Sequence, residues 1–505
     1  MRGRPIHPAR ETVAPCQTGG VGFPCGITPF PPAPVTTGGR AAEARGTRPR
    51  AEGVSMEYRS IEAAAEALAD WRTSSLELVE AALARIAEPE GEGARAFVAV
   101  QAEQARAAAG AMDALRRAGR APSRWAGIPI SIKDLYDQAG VTSTAGSTAL
   151  KDAPPATRTA LSVARLERAG FVVLGRTNMV EFAFSGLGVN PHHGTPRSPW
   201  DRATGRLPGG SSSGAAVAVA DGMGLAGLGS DTGGSCRVPA AMCGIVGWKP
   251  TASRVPLTGT VPLSHTLDSL GPLANTAACC AVLDAIMAGE EEGAAPAPAA
   301  LSGARLAVPR GTFLFDGIEA AVAEAFDAAL RRLEKAGARI EEIDFPELRD
   351  IPPANAKGGF AAAESWAWHA PLISRARDAY DPRVLARIEK GAAMTAADYL
   401  DLQVARARII AAANARTEGF DAFLCPTCVV TPPAIAAVET TEEYNRLNLL
   451  LLRNTAVGNF LDRCSISLPC QAPGTAPVGL MLTGARGADR ALLALAQGAE
   501  AALRA

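Results

Sequence analysis

Two serine-bearing stretches and one lysine hold the reactive groups of this chain. Lysine is scarce: Lys133, Lys151, Lys249, Lys335, Lys357 and Lys390 stand against more than forty arginines. Arginine keeps its proton at ordinary pH, whereas a buried lysine can release one. Lys133, embedded in "GIPISIKDLYD", therefore marks either a position that uses the neutral amine or a strand-end lysine paired with Asp134. In "LGSDTGGSCRVPAAMCGIVGWKP" two glycines precede Ser235 and a helix-competent segment follows. Successive backbone N–H groups in such a turn can converge on a developing oxyanion; the alternative is a glycine-rich turn with a serine cap. The third stretch, "LPGGSSSGAAVAVADG", matches G-x-S-x-G from Gly210 to Gly214 with Ser212 central, the pattern of a hydrolase nucleophile elbow. An elbow needs a buried strand before it, and "WDRATGRLPG" reads as loop. A flexible linker is equally unsuitable, because "AAVAVA" continues as an apolar, helix-competent segment, and the Gly-Lys-Ser/Thr of a phosphate-binding loop is missing.

Rival chemistries have less material. The histidines are His7, His192, His193, His265 and His369, so a Ser-His-Asp site on Ser212 would have to draw on His265 or His369. His192 and His193 are adjacent in "GVNPHHGTP", a poor arrangement for one metal ion with no third ligand in view, and read as a surface or pocket-rim loop; no metal is expected. Among ten cysteines a lone CxxC, Cys425 to Cys428, lies in an apolar, β-branched run followed by two prolines, which suits buried thiols in or beside a strand better than a redox or zinc site.

The elements that must position these groups alternate between helix and strand. "MEYRSIEAAAEALADWRTSSLELVEAALARIAE" reads as two amphipathic helices, the second opened by a capping box of Ser74 and Glu77, and a third helix covers roughly Gln101 to Arg117. "AGIPISIKDLYD" is a buried strand, "RLERAGFVVLGRTN" a helix end and strand, and the segment from "ARLAVPRG" to "IEEIDFPEL" reads as strand, long helix, strand. Two late strands in "RCSISLPCQAPGTAPVGLMLTG" precede a terminal helix. The class is α/β. Residues 1–55 are rich in Pro, Gly and Arg without apolar period and are expected to be a disordered extension, with Met56 as an alternative start. Their single serine, Ser55, argues against a transit peptide. With 505 residues, 48% hydrophobic, and a net charge of −1, the chain has ample core and no charge excess for nucleic acid. Its apolar runs are too rich in Gly and Ala to span a membrane, and without a secretory apolar region it reads as a cytoplasmic protein with reduced thiols.

Taken together, the three pieces resemble the amidase signature family. "GGSSSGAAVAVA" and "GSDTGGSCRVPAAMCGIVGWKPT" look like the core of its signature, with Ser211 and Ser235 at the family's separation of 24 residues. "GIPISIKD" resembles its lysine motif, "GRTNMVEFAF" a further family segment, and "VPLSHTLDSLGPLA" and "APVGLMLTG" also fit, so the resemblance covers residues 56–505. It implies one large α/β domain whose mixed central sheet is covered by helices on both faces. It further implies Ser235 as nucleophile, Ser211 as bridging serine and Lys133 as base, with the backbone N–H groups of Thr232, Gly233, Gly234 and Ser235 as oxyanion hole. Asp231 and Arg237 are expected to form an ion pair stiffening the glycine loop, and Ser213 departs from the glycine commoner in the family. The implied activity is hydrolysis of a small carboxylic or urea-type amide to acid and ammonia, without cofactor, by a possible homodimer. Phe360, Trp366, Trp368 and His369 are candidates for the substrate pocket or for plain helix packing. Two alternatives stay open: the glutamine-hydrolysing A subunit of a tRNA-dependent amidotransferase, whose "S-N-L-A-R-Y-D-G" type segment is missing here, and a catalytically silent binding scaffold.

Overall fold

Strands buried on both faces need helices on both sides, and that requirement organises the fold. In the computed structural model residues 58–290 and 293–505 are described, all within one unit of the chain. The expected extension 1–55 and the alternative start at Met56 lie outside the described residues. Eleven strands form one mixed sheet. They are β1 (Phe97–Val100), β2 (Pro129–Lys133), β3 (Val172–Thr177), β4 (Ala226–Ser230), β5 (Val246–Lys249), β6 (Leu270–Ala274), β7 (Arg305–Val308), β8 (Arg339–Glu342), β9 (Ala422–Pro426), β10 (Ser465–Pro469) and β11 (Gly479–Thr483). Their order is β1-β3-β2-β4-β6-β5-β10-β11-β9-β7-β8. β3, β2 and β4 run parallel, as do β9, β7 and β8, while the strands between and beside these blocks are antiparallel.

Every residue of β2, β3 and β4 is buried, whereas the edge strand β8, "RIEE", is mostly exposed and charged, which discourages pairing with another chain. The sequence-predicted helices form: Ser74 and Glu77 make the reciprocal capping box of the Ser75–Ile86 helix, and the third helix spans Ala102–Arg117. Cys425 ends up within β9 and Cys428 just after it, both buried, and burial pushes the Cys425 thiol up to about 12. No helix among the described residues is long and apolar enough to cross a membrane.

The segment "SGAAVAVA" forms a helix, Ser213–Ala220, packed into the interior rather than laid on the surface, so it carries no polar face. Small side chains make that possible. A Cβ at Gly214 would sit 2.2 Å from the Ala96 carbonyl oxygen and 2.6 Å from the Asn178 nitrogen. The second short helix, Arg237–Cys243, follows β4 and stops at Gly244, whose φ of 70° gives the left-handed C-cap that glycine tolerates.

Candidate active site

Parallel strands that end together leave a crevice at their carboxyl ends, where open α/β sheets hold their ligands. Lys133 is the last residue of β2 and Ser230 the last of the neighbouring β4. The loop entering the Ser213–Ala220 helix brings Ser211 and Ser212 to the same point, and the Gly210–Ser211 peptide is cis. The Lys133 amine is fully buried with three hydroxyl oxygens around it: Ser211 Oγ at 2.7 Å, Ser230 Oγ at 2.9 Å and Ser212 Oγ at 3.0 Å. An ammonium donates to all three. A neutral amine has two hydrogens and one lone pair, so it donates to two and accepts from the third. Ser211, at the shortest distance, suits the accepting direction.

Lys133 does not pair with Asp134, which instead takes Arg176 in a buried ion pair at 2.7 Å. Burial brings the Lys133 pKa down to about 8; nearby Cys236, Asp231 and Asp268 keep it from falling further. Because burial also pushes the Cys236 thiol well up, the two carboxylates supply that charge near neutral pH.

Ser235 follows β4 by way of the loop Asp231–Gly234 and is only 3% exposed. Asp231 anchors this loop. It takes Arg237 through both oxygens, at 2.8 and 3.0 Å, accepts a bond from the Asn459 amide, and is fully buried. Burial alone would raise the Asp231 carboxyl; Arg237, Lys249 and the Asn459 hydrogen bond overcome it and hold it at about 2. Gly234 has φ of 138°, and a Cβ there would fall 2.1 Å from Thr455 Oγ1, so this position requires glycine. Thr455 Oγ1 donates to the Gly233 carbonyl at 2.7 Å.

Backbone bonding around this loop is uneven. Asp231 N donates to Ser269 O, Cys236 N to the Asp231 carboxylate and Val238 N to Gly234 O. The four amides between, those of Thr232, Gly233, Gly234 and Ser235, have no acceptor among the described residues. Nearly all buried amides in proteins are paired, so four successive free donors beside one hydroxyl form an arrangement able to receive an anion. The Ser235 hydroxyl likewise has no partner among the described residues, while its carbonyl accepts from Ser212 N at 3.3 Å.

The elbow pattern at Ser212 has no strand before it, and Ser212 faces Lys133 rather than a histidine. Ser213, the family departure, buries a hydroxyl that has no partner among the described residues. "RTNMVEFAF" contributes as support: Val180 N donates to Ser211 O at 3.0 Å, and the next residues turn through positive φ at Phe182 and Ala183. His192 is half-buried and bonds Glu181 at 2.9 Å.

The four suggested pocket residues of the Gly359–Ala376 helix separate into three placements. Trp368 and His369 pack around Phe182, with the His369 ring 4.3 Å from it and Nδ1 2.9 Å from the Tyr380 hydroxyl. His369 is completely buried, and burial lowers its pKa to about 3, so it is neutral. Trp366 packs half-buried against the main core. Phe360 alone lines an open cavity of about 170 Å³, with Thr266, Gln403, Arg406, Ala407 and Ile410. A narrower pocket of about 10 Å³, room for about one water, lies between Ser230, Thr232, Ala183 and Asp268.

Four residues of this neighbourhood escape a reading of local sequence: Ser230, Asp268, Glu364 and Arg406. Ser230 alone had a signal, as a hydroxyl closing a buried apolar strand immediately before the glycine loop.

A model of the Amidase family matches residues 77–493. The chain is 39% identical over 401 residues to 2-amino-5-chloromuconic acid deaminase of Comamonas testosteroni, covering 79% of this chain and 86% of that protein. It is 35% identical over 463 residues to the A subunit of glutamyl-tRNA(Gln) amidotransferase from Thioalkalivibrio sulfidiphilus, covering 85% and 94%. A solved crystal structure of an amidase superposes with a TM-score of 0.79 at 31% identity, covering 88% of this chain and 99% of that one.

Proposed function

Since the chain belongs to the amidase signature family and is a hydrolase of amide C–N bonds, we propose that it converts a small carboxylic or urea-type amide to acid and ammonia through Lys133, Ser211 and Ser235. The observation that carries this reading is the buried Lys133 amine, 2.7 Å from Ser211 beside four amides without acceptors. Neutral Lys133 takes the Ser211 proton as Ser211 takes that of Ser235, and the Ser235 oxygen adds to the substrate carbonyl. The carbonyl oxygen, now negative, receives the N–H groups of Thr232, Gly233, Gly234 and Ser235. Collapse of the tetrahedral intermediate breaks the C–N bond, and the Lys133 proton returns through Ser211 to the leaving nitrogen. Water then cleaves the acyl-enzyme by the same relay. The two serine hydroxyls make no hydrogen bond to each other among the described residues, and the relay requires that contact in the complex with substrate.

The cavity bordered by Phe360 and Arg406 supports a substrate with an acidic group. The Arg406 guanidinium stacks 5.3 Å from the Phe360 ring and donates to the carbonyls of Phe460 and Asn459, leaving Nη1 without a partner among the described residues. That nitrogen can take a carboxylate. Arg406→Met is expected to raise KM for a carboxylate-bearing amide by roughly tenfold or more while changing KM for its neutral isostere by less than about threefold. Equal changes for both substrates would remove Arg406 from recognition.

The proposal includes a cytoplasmic homodimer working without cofactor or nucleic acid. The near-neutral net charge and the buried free thiols of the described cysteines suit it, and the homodimer rests on the family alone. Ammonia release by the purified chain from aryl, aliphatic, urea-type and glutamine amides is the deciding experiment. Release from a simple amide establishes a free-standing amidase; release from glutamine only, or only with a partner, transfers the site to the amidotransferase reading.

A further inference from the structure

Four successive amides can receive one oxygen only if the loop that carries them is held still. Its ends are well anchored: Asp231 is locked by Arg237, Asn459 and Ser269, and the Gly233 carbonyl by Thr455. Between these anchors the means of restraint are few. Gly233 and Gly234 have no side chains, and the Ser235 side chain must be free to react. Thr232 is therefore the one residue of the four that can be fixed through its side chain. Its hydroxyl donates to Asp268 Oδ1 at 2.5 Å. Asp268 is buried, and its other oxygen accepts the backbone amides of Leu263 and Ser264 at 3.0 and 3.1 Å.

The segment carrying Asp268 is itself clamped from the opposite side. Glu364, on the Gly359–Ala376 helix, accepts the Ser264 hydroxyl, the Thr266 amide at 3.0 Å and the Thr266 hydroxyl, and it takes the Tyr399 hydroxyl at 2.6 Å. The 263–268 loop is thus suspended between a helix that borders the Arg406 cavity and the side chain of Thr232.

The geometry points to Asp268 as a positioning residue of the hydrolysis: by holding the Thr232 side chain it orients the amides that receive the carbonyl oxygen. This rests on the oxyanion reading above. A carboxylate so close to a developing negative charge opposes it electrostatically, and only a positioning gain larger than that cost explains its placement. Its three accepted hydrogen bonds turn its lone pairs away from the substrate.

Asp268 also bears on the base. The charged groups facing Lys133 are Asp231 and Asp268, with Cys236 held as a thiol; Asp231 is already matched by Arg237 and Lys249, and Asp268 has Glu364 as its own acidic neighbour. Removing the Asp268 charge therefore eases deprotonation of Lys133.

Steady-state hydrolysis of a simple amide by the full chain between about pH 6 and pH 10 tests this. Asp268→Asn is expected to lower the plateau kcat by about tenfold or more with KM changed less than about threefold, while the rising limb of the profile moves to lower pH. A lesion that merely loosens the fold lowers melting temperature and active fraction without moving that limb. Thr232→Val should match the kcat loss without the pH shift, and Thr232→Ser should restore activity. The double variant should be no slower than the slower single variant by more than about twofold, because both break one contact. Wild-type kcat in Thr232→Val, additive losses in the double variant, or an unmoved limb in Asp268→Asn overturns the proposal. If Asp268→Asn fails to fold, the two Thr232 variants decide. Ser235→Ala separates the premises: activity surviving there removes the nucleophile and oxyanion reading itself, whereas an inactive Ser235→Ala beside an unimpaired Thr232→Val removes only the role of Asp268.

Discussion

Ser235→Ala is expected to lower kcat by roughly 10⁵-fold or more, about 7 kcal/mol of transition-state stabilisation, with KM little changed and the fold intact. Among the described residues the Ser235 hydroxyl makes no hydrogen bond that its loss would leave unpaired, and the side chain is small, so alanine removes the proposed nucleophile and almost nothing else. The amides of residues 232–235 remain and, in the proposed mechanism, still receive the substrate carbonyl. Their residual effect without a nucleophile is the rate still measured. Ser211→Ala should approach the same loss, because it removes the hydroxyl that the proposed relay uses between Lys133 and Ser235, 2.7 Å from the amine. Ser212→Ala, which takes from Lys133 only one of its partners, should cost less than about tenfold. Mass spectrometry after brief exposure to an activated amide checks the assignment directly, since the acyl adduct must be on Ser235. A dead Ser212→Ala with an active Ser235→Ala would falsify the assignment and restore the elbow.

Lys133 is expected to be nearly as important, and in a way that distinguishes a base from a counter-ion. Lys133→Met should lower kcat by about 10³-fold or more, and Lys133→Arg should not rescue it, because guanidinium keeps the charge but cannot lose its proton. The wild-type enzyme should show kcat/KM rising with pH through about 8, where burial places the Lys133 pKa. The sign follows from the role: protonated Lys133 is inactive, so activity is lost as pH falls below that value. Between pH 7 and pH 9 the neutral fraction, and with it kcat/KM, should rise about tenfold. A flat profile over that range, or an active Lys133→Arg, would show that the ammonium serves only as a charge.

Several features were legible because they depend on short stretches of chain. The capping box at Ser74 and Glu77 follows from contacts within a few residues and the buried strand "PISIK" from a short apolar run, and both appear in the fold. The Asp231–Arg237 pair was expected from the family resemblance, and the fold forms it at 2.8 Å. Pocket chemistry was not. Phe360 faces a cavity while Trp368 and His369, on the same helix, are spent on Phe182, and only the partners' positions separate these outcomes.

By itself, then, the sequence determined the reaction class. Taken singly, the lysine, the two serines and the glycine loop each leave a structural alternative open; it is their joint resemblance to the amidase signature motifs that implies an amide hydrolase of α/β class. Only the tertiary structure decided what tunes and aims that chemistry. Lys133 meets Ser211, Ser212 and Ser230 across 78 to 97 residues, Thr232 meets Asp268 across 36, and Asp268's loop meets Glu364 across about 100. Contacts of that separation come from how the sheet orders its strands, so no local pattern announces them. Because the burial they create lowers the Lys133 pKa, the pH dependence proposed for the site belongs to the fold rather than to any motif.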